Sequence, residues 1–318
     1  MTGYDIIGDV HGHADRLVAL LDAMDYREVD GVWRHPERTA AFVGDLVDRG
    51  PQQLQTVNIV RSMIEAGTGQ CVMGNHEFNA VAYATFDPDR DDHCRSRLGR
   101  KGDKHALQHR HFIAEVGLDT SLHHEVIDWF RTIPMWIELA SDSARLRVVH
   151  ACWHQPSIDS LGLLLEANDG ILTDRLVIEA TTPGTVPHDA IEIVLKGPEV
   201  HLDGRTYQDK NGVRRGDARV RWWDTTAITL RQAALIPGDA IESDGTDFAP
   251  LPDTPTPPMG PLSDTTPVFF GHYWFNGTPR PTSGTTACVD YSVGNGGPLV
   301  AYRWSGDDTL TAANFVSV

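Results

Sequence analysis

The chain has few cysteines and no paired ones. Cys71, Cys94, Cys152 and Cys288 are the four present, and none forms a Cys-x-x-Cys pair. That spacing supports neither a disulfide framework nor a thiolate zinc site, so four reduced thiols are expected. No apolar run approaches the roughly 18 residues that a membrane span needs. The opening MTGYDIIGDVHG lacks the basic start and apolar stretch of a secretory signal. A cytoplasmic protein is the expectation. Positive charge is also scarce: 27 Lys and Arg against 44 Asp and Glu give −17 with His neutral. Such a surface repels nucleic acid and anionic membranes, which excludes general polyanion binding. An anionic substrate fits only where local positive charge overrides that field. Across 318 residues, 41% are apolar, enough for a real core and too many for a disordered or fibrous chain.

Short apolar runs end repeatedly in polar residues. Tyr4 to Ile7 reads as a buried strand ending at Gly8-Asp9, and Ala40 to Val43 as a second ending at Gly44-Asp45. Cys71 to Met73 is a third, ending at Gly74-Asn75. Between them, Leu17, Leu20, Leu21 and Met24 recur at helical spacing, as do Leu54, Val57, Val60 and Ile64 after Pro51. This alternation is the pattern of an α/β sheet, whose sites gather at the carboxyl ends of the strands. Val126 to Trp136 reads as helical until Pro134. Leu146 to Val149, Ile191 to Leu195 and Val268 to Phe270 read as further strands, ending at His150, Lys196-Gly197 and Gly271-His272. The stretch 87–112 holds seven Lys/Arg, four His and five Asp with little periodicity, and is expected to be a charged loop. The segments 286–293 and 299–304 flank Gly294-Asn-Gly-Gly297, a hairpin signal. That glycine run is not a dinucleotide site, because no helix follows it.

Five strand ends carry one chemical kind of residue: Asp9 with His11, Asp45, Asn75 with His76, His150, and His272. Oxygen donors and imidazoles without thiolate suit Mn, Fe or Zn, and a central Asp can bridge two ions. Two ions about 3.5–4 Å apart clamp a phosphoryl group and generate a hydroxide nucleophile at neutral pH. Gly8-Asp-Val-His-Gly12, Gly44-Asp-Leu-Val-Asp-Arg-Gly50 and Gly74-Asn-His-Glu77 resemble the three signature motifs of the calcineurin-like metallophosphoesterases. The Asp-Arg-Gly version resembles the phosphoprotein phosphatase branch, which includes bacterial protein phosphatases and symmetrical diadenosine tetraphosphatases. Val148-Val-His-Ala151 and Gly271-His272 resemble the two remaining metal-histidine motifs. The family usually has His-Gly after that fourth strand, and His154 is a nearby second candidate.

The resemblance implies a single domain over 1–318, a four-layer αββα sandwich of two mixed sheets with flanking helices. It implies two divalent metal ions, with Mn first and Fe or Zn as alternatives. Asp9 and His11 would bind one ion, Asp45 both, and Asn75, His150 and His272 the second. Arg49 would bind a phosphate oxygen, its planar fork matching the oxyanion. His76 would be the general acid, oriented by Asp48. The implied activity is phosphoester hydrolysis by a two-metal-activated hydroxide, with a phosphorylated substrate. A serine/threonine phosphoprotein is the first reading. A dinucleoside polyphosphate, or another nucleotide or RNA-end phosphate, is the alternative.

The interval from His150 to His272 exceeds the compact family core, so an insert or cap is expected over 155–265, including a Pro-rich acidic loop at 239–267. The insert carries Arg205, Lys210, Arg214, Arg215, Arg219 and Arg221, with a turn at Asn211-Gly212. Arg215, Arg221 and Lys196 are candidate second phosphate ligands, against a solvated basic face. Arg95, Arg97, Arg100, Lys101 and Lys104 are candidates for further nucleotide phosphates. Trp222-Trp223 could stack a base or divide between core and surface. Glu77 lies outside the expected site.

Overall fold

The structure is a computed structural model that describes residues 3–141, 144–202, 204–208, 214–237, 240–242, 244–255 and 265–318. The chain divides into two compact units, Met1–Lys196 with Asp264–Val318, and Gly197–Ser263.

In the first unit the strands of the two main sheets are β1 (Gly3–Ile7), β2 (Arg38–Phe42), β3 (Gly69–Cys71), β4 (Trp136–Ala140), β5 (Arg145–Val149), β6 (Val268–Phe270), β7 (Thr286–Cys288), β8 (Val300–Trp304) and β9 (Phe315–Ser317). They form one sheet in the order β9-β8-β1-β2-β3 and another in the order β7-β6-β5-β4. Both are mixed. β1, β2 and β3 run parallel, with Ile7 opposite Phe42 and Phe42 opposite Cys71, whereas β8 is antiparallel to β1. β5, β6 and β7 run parallel and β4 antiparallel to β5. Ile6, Val43 and Val72 from the first sheet pack with Val148, Phe269 and Val289 from the second in one fully buried cluster. Each such side chain contributes roughly 1.5–3 kcal/mol by leaving water.

The α-helices of this unit are α1 (Ala14–Ala23), α2 (Gln53–Glu65), α3 (Asn75–Ala84), α4 (Gly99–Val116), α5 (Ser121–Phe130), α6 (Gln155–Glu166), α7 (Asp174–Ala180) and α8 (Val186–Lys196). Of the apolar stripes read from the sequence, Leu17, Leu20 and Leu21 are buried on α1, and Val57 and Val60 on α2; Leu54 and Ile64 are half-buried, and Met63, outside the expected stripe, is buried in their place. The mixed α/β architecture is therefore the one expected.

Four local expectations differ. The stretch 87–112 contains a two-stranded ribbon and most of α4. The buried face of α4 is Gly102, His109, Phe112 and Val116. This is helical spacing, but glycine and histidine hide it from an apolar count. Ile191–Leu195 lies in helix α8, where Ile191, Val194 and Leu195 form an i, i+3, i+4 face. A short apolar run does not distinguish strand from helix. The expected hairpin across 294–297 is absent: β7 pairs with β6 and β8 with β1, so the flanks enter different sheets. Residues Val293–Asn295 form a 3₁₀ turn between them. Val126–Trp136 is split, with α5 ending at Phe130 and β4 starting at Trp136.

The second unit is small and mostly antiparallel. Asp217–Val220 pairs with Glu199–His201 on one side and Ala234–Leu235 on the other. Tyr207–Gln208 pairs with Arg214–Arg215. Its core includes Leu202, Tyr207, Ala218, Leu230, Ala240 and Leu251. Ala240 and Leu251 come from the Pro-rich segment, so part of that segment packs rather than running free. Residues 155–196 fold as α6–α8 in the first unit, so the second unit is narrower than the 155–265 span expected of an insert. Lys210 and Asn211-Gly212 lie outside the described residues. Trp222 and Trp223 are buried, edge to face at 5.9 Å, which leaves no free ring to stack a base.

Candidate functional site

The loops leaving β1, β2, β3, β5 and β6 at their carboxyl ends bring nine of the expected residues together. Asp45 stands at the centre. Its Oδ1 lies 3.4 Å from His150 Nε2, and its Oδ2 lies 3.7 Å from His11 Nε2 and 3.9 Å from His76 Nε2. Two overlapping donor sets result: His11, Asp45 and His76, and Asp45, His150 and His272. Asn75 Oδ1 is 3.1 Å from His150 Nε2. The Asp9 carboxylate accepts the His272 N–H at 3.2 Å, and the His150 and His272 rings meet edge to face at 5.2 Å.

The backbone at these residues is held where side chains rarely go. His11, Asp45, Asp48, Arg49 and His272 all have positive φ, between 48° and 73°. Such strain persists only where surrounding structure over-determines it. Two glycines permit the crowding. A Cβ on Gly74 would strike the Asp45 backbone N and Oδ1, and one on Gly271 would strike Asp9 Oδ1.

Hydrogen bonds fix which nitrogen faces inward. His11 Nδ1 donates to Val47 O at 3.1 Å and His150 Nδ1 to Val43 O at 2.7 Å, so each Nε2 faces the centre. His11 Nε2 is buried without a hydrogen-bond partner among the described residues. An unpartnered buried nitrogen beside a carboxylate fits a metal ligand. His76 Nδ1 donates to Asp48 Oδ2 at 2.6 Å, leaving its Nε2 toward Asp45.

The electrostatics follow from burial and crowding. Burial, then the neighbouring His76, pulls His11 down to about 3, so it is a neutral donor. Burial raises Asp45, but the imidazoles of His150, His76 and His11 outweigh it and hold the carboxyl well below its ordinary value. Burial and the adjacent Asp290 push Asp9 well above its usual range. Burial opposes the charge on His76, yet Asp45 and Asp48 raise its value overall. Asp48 is likewise held low by His109 and His76 against the cost of burial. The buried carboxylates and neutral imidazole suit divalent ions, which would offset the negative charge gathered here.

Three contributors escaped the sequence reading. Glu77 is fully buried and accepts N–H groups from Asp45 (2.8 Å), Leu46 (2.8 Å), Val47 (3.3 Å) and Gly74 (3.0 Å). Its place at the third residue of α3 is a capping signal that could have found it. His109 of α4 meets Asp48 at 2.9 Å from the far side of the chain, and nothing local announces it. Asp290 accepts from Trp274 N at 2.7 Å and Ser292 N at 2.9 Å, tying the loop after β6 to the loop after β7.

The basic candidates are less concentrated. Lys196 lies on α8 and pairs with Glu192. Arg215 and Arg221 belong to the second unit. Arg97 pairs with Asp119 at 2.8 Å and stacks on Tyr83, so it is committed to structure. Arg100, Lys101 and Lys104 are exposed on α4, and Arg95 is half-buried.

A sandwich of two mixed sheets, with oxygen and imidazole donors at five strand ends, defines the metallophosphoesterase class. Residues 4–176 match the calcineurin-like phosphoesterase family, and the chain belongs to it. Among curated proteins it is similar to a bis(5′-nucleosyl)-tetraphosphatase PrpE (asymmetrical) of Halalkalibacterium halodurans. The identity is 34% over 170 residues, 51% of this chain and 62% of that protein. The enzyme of that name from Bacillus subtilis is 38% identical over 86 residues, 27% of this chain and 35% of that protein. The chain thus covers less than two thirds of the length of these relatives. Among solved structures, a protein serine/threonine phosphatase from Saccharomyces cerevisiae aligns over 100% of this chain and 79% of its own, with 14% identity and a TM-score of 0.47. No described helix is long and apolar enough to cross a membrane.

Proposed function

We propose that this chain is a metal-dependent hydrolase that cleaves the phosphate chain of a dinucleoside polyphosphate. The observation that carries the hydrolytic reading is the pair of donor sets sharing Asp45, with His76 in one of them and Arg49 close to His11. The substrate class rests on the relatives: those at 34% and 38% identity carry the tetraphosphatase name. This reverses the order of the sequence reading, which placed a phosphoprotein first. The phosphoprotein phosphatase is now the second reading, favoured only by the Asp48-Arg49-Gly50 motif.

Two divalent ions bound by Asp9, His11, Asp45, Asn75, His150 and His272 would activate water and neutralise phosphoryl charge; Mn is the first choice, with Fe or Zn as alternatives. The chain's own residues supply the rest. Arg49 binds the phosphoryl oxygens through its in-plane N–H groups. Asp48 holds the His76 ring by its Nδ1–H, so that the Nε2 proton goes to the departing oxygen. Lys196, Arg215 and Arg221 are proposed as further phosphate contacts. Replacing each by Ala should raise KM at least tenfold where contact exists, and a change under twofold at all three would remove them from the site.

The test is turnover of diadenosine tetraphosphate, a phosphopeptide, para-nitrophenyl phosphate and its bis-ester with added Mn²⁺. Asp45→Asn should lower the rate at least 100-fold. Products of AMP and ATP mean asymmetrical attack, whereas two ADP mean symmetrical attack. Turnover of the phosphopeptide with none of the polyphosphate would restore the second reading.

A further inference from the structure

Arg49 sits in an unusual seat. Its guanidinium carbon lies 3.9 Å from the centroid of the Trp274 ring, and Trp274 is half-buried two residues after His272. Arg49 has φ +73°, and its buried Nε finds no hydrogen-bond partner among the described residues. A buried N–H without such a partner is costly, so the geometry of this half-buried side chain must be fixed by other means.

The seat is built from two loops. Trp274 has φ +55°, and its N–H is held by Asp290 Oδ2 at 2.7 Å. The other Asp290 oxygen accepts from Ser292 N at 2.9 Å, and the Asp290 carbonyl accepts from Phe275 N at 3.0 Å. Ser292 Oγ returns a bond to Phe275 O at 3.0 Å. One buried carboxylate therefore locks the turn carrying Trp274 to the turn at 292–295. The second turn also touches Arg49: a Cβ on Gly294 would stand 2.5 Å from Arg49 Cδ and 3.1 Å from His11 Cδ2. The stem of Arg49 runs past Gly294 while its guanidinium carbon lies over the indole.

We infer that Trp274 is the positioning residue for Arg49, its indole fixing the plane in which the guanidinium presents N–H groups to a phosphoryl oxygen, with Asp290 and Gly294 completing the seat. Stacking occupies the guanidinium's face and leaves its edge for in-plane bonds. It is also weaker than an ion pair to a protein carboxylate, so it orients Arg49 without neutralising it. The inference rests on the reading that Arg49 binds substrate phosphate.

The experiment uses the full chain with Mn²⁺ and compares Trp274→Leu, Trp274→Phe, Arg49→Ala and the double variant Trp274→Leu/Arg49→Ala. Each is titrated with inorganic phosphate, followed by indole emission and by competition against turnover. Trp274→Leu should weaken phosphate binding and raise KM about tenfold while kcat changes less than about threefold, the signature of lost ground-state and transition-state binding alike. Trp274→Phe, which keeps a π face, should recover to within about threefold. In the Arg49→Ala background, Trp274→Leu should add less than twofold, because coupled residues are not additive. Wild type should show an emission change on saturation that Trp274→Phe lacks. Full multiplication of the two effects, or a change under twofold for Trp274→Leu, would overturn the inference. If Trp274→Leu fails to fold, an unchanged wild-type emission at saturating phosphate would overturn it instead. If Arg49→Ala itself leaves phosphate binding intact, the phosphate role of Arg49 fails and this inference with it. The hydrolase reading would still stand on the Asp45→Asn result.

Discussion

Glu77 takes no part in the expected ligand set, yet its carboxylate gathers N–H groups from both sides of the centre. Asp45, Leu46 and Val47 follow β2, and Gly74 follows β3. Burial and the nearby Asp45 push Glu77 up to about 7, against the pull of those N–H groups. Glu77→Gln keeps the volume but turns an amide NH₂ toward backbone donors. The expected cost is on the order of 2–3 kcal/mol for the donors left unsatisfied. Because Asp45 is the proposed shared ligand, metal affinity should fall as well, by about 10–100-fold. Urea unfolding and Mn²⁺ titration check the two effects, and a variant with unchanged affinity would reduce Glu77 to a helix cap. The same motif thus places a proposed ligand, a proposed acid and their support in consecutive positions: Asn75, His76 and Glu77.

Among the elements, α4 and α5 explain why part of the site was illegible. His109 reaches Asp48 from α4, and α4 in turn packs on α5, where Phe112 meets His123 with ring centroids 6.0 Å apart. Their charged, histidine-rich sequence hides a buried stripe that only tertiary packing reveals. His123 is buried on α5, and burial lowers it to about 4 from its ordinary 6.5. The unfolded chain therefore takes up a proton below about pH 6.5 that the folded chain refuses until about pH 4. Stability from this group is complete above pH 6.5 and is lost as pH falls through that window. His123→Phe should flatten the fall of Tm between pH 6.5 and 4.5 relative to wild type. An identical pH slope in both proteins would show that His123 titrates normally.

For the molecule as a whole, the site gathers Asp9, Asp45 and Asp290 in a buried space, and burial, then the repulsion of Asp290 and Asp45, raises Asp9. Ions that bind the folded chain alone offset that repulsion and shift the unfolding equilibrium. At a hundredfold excess over Kd the gain is about 2.7 kcal/mol. Removal of divalent ions with a chelator should lower Tm by several degrees, and Mn²⁺ should restore it in wild type but not in Asp45→Asn. A Tm indifferent to both treatments would argue against a metal centre here.

The sequence by itself determined the short apolar runs, the polar residues that end them and the chemical kind of those residues. Asp9, His11, Asp45, Asp48, Arg49, Asn75, His76, His150 and His272 were all legible, because each sits in a local motif beside a strand. The α/β class was legible for the same reason, since periodicity is a local property. Tertiary structure alone decided which flank of Gly294-Asn-Gly-Gly297 enters which sheet, because strand partners are chosen by the two faces they bury. It also decided that Ile191–Leu195 is helical, that His109 meets Asp48, and that Trp274 lies under Arg49. Those contacts join residues up to 225 positions apart, from Arg49 to Trp274, and no spacing rule reaches across that distance.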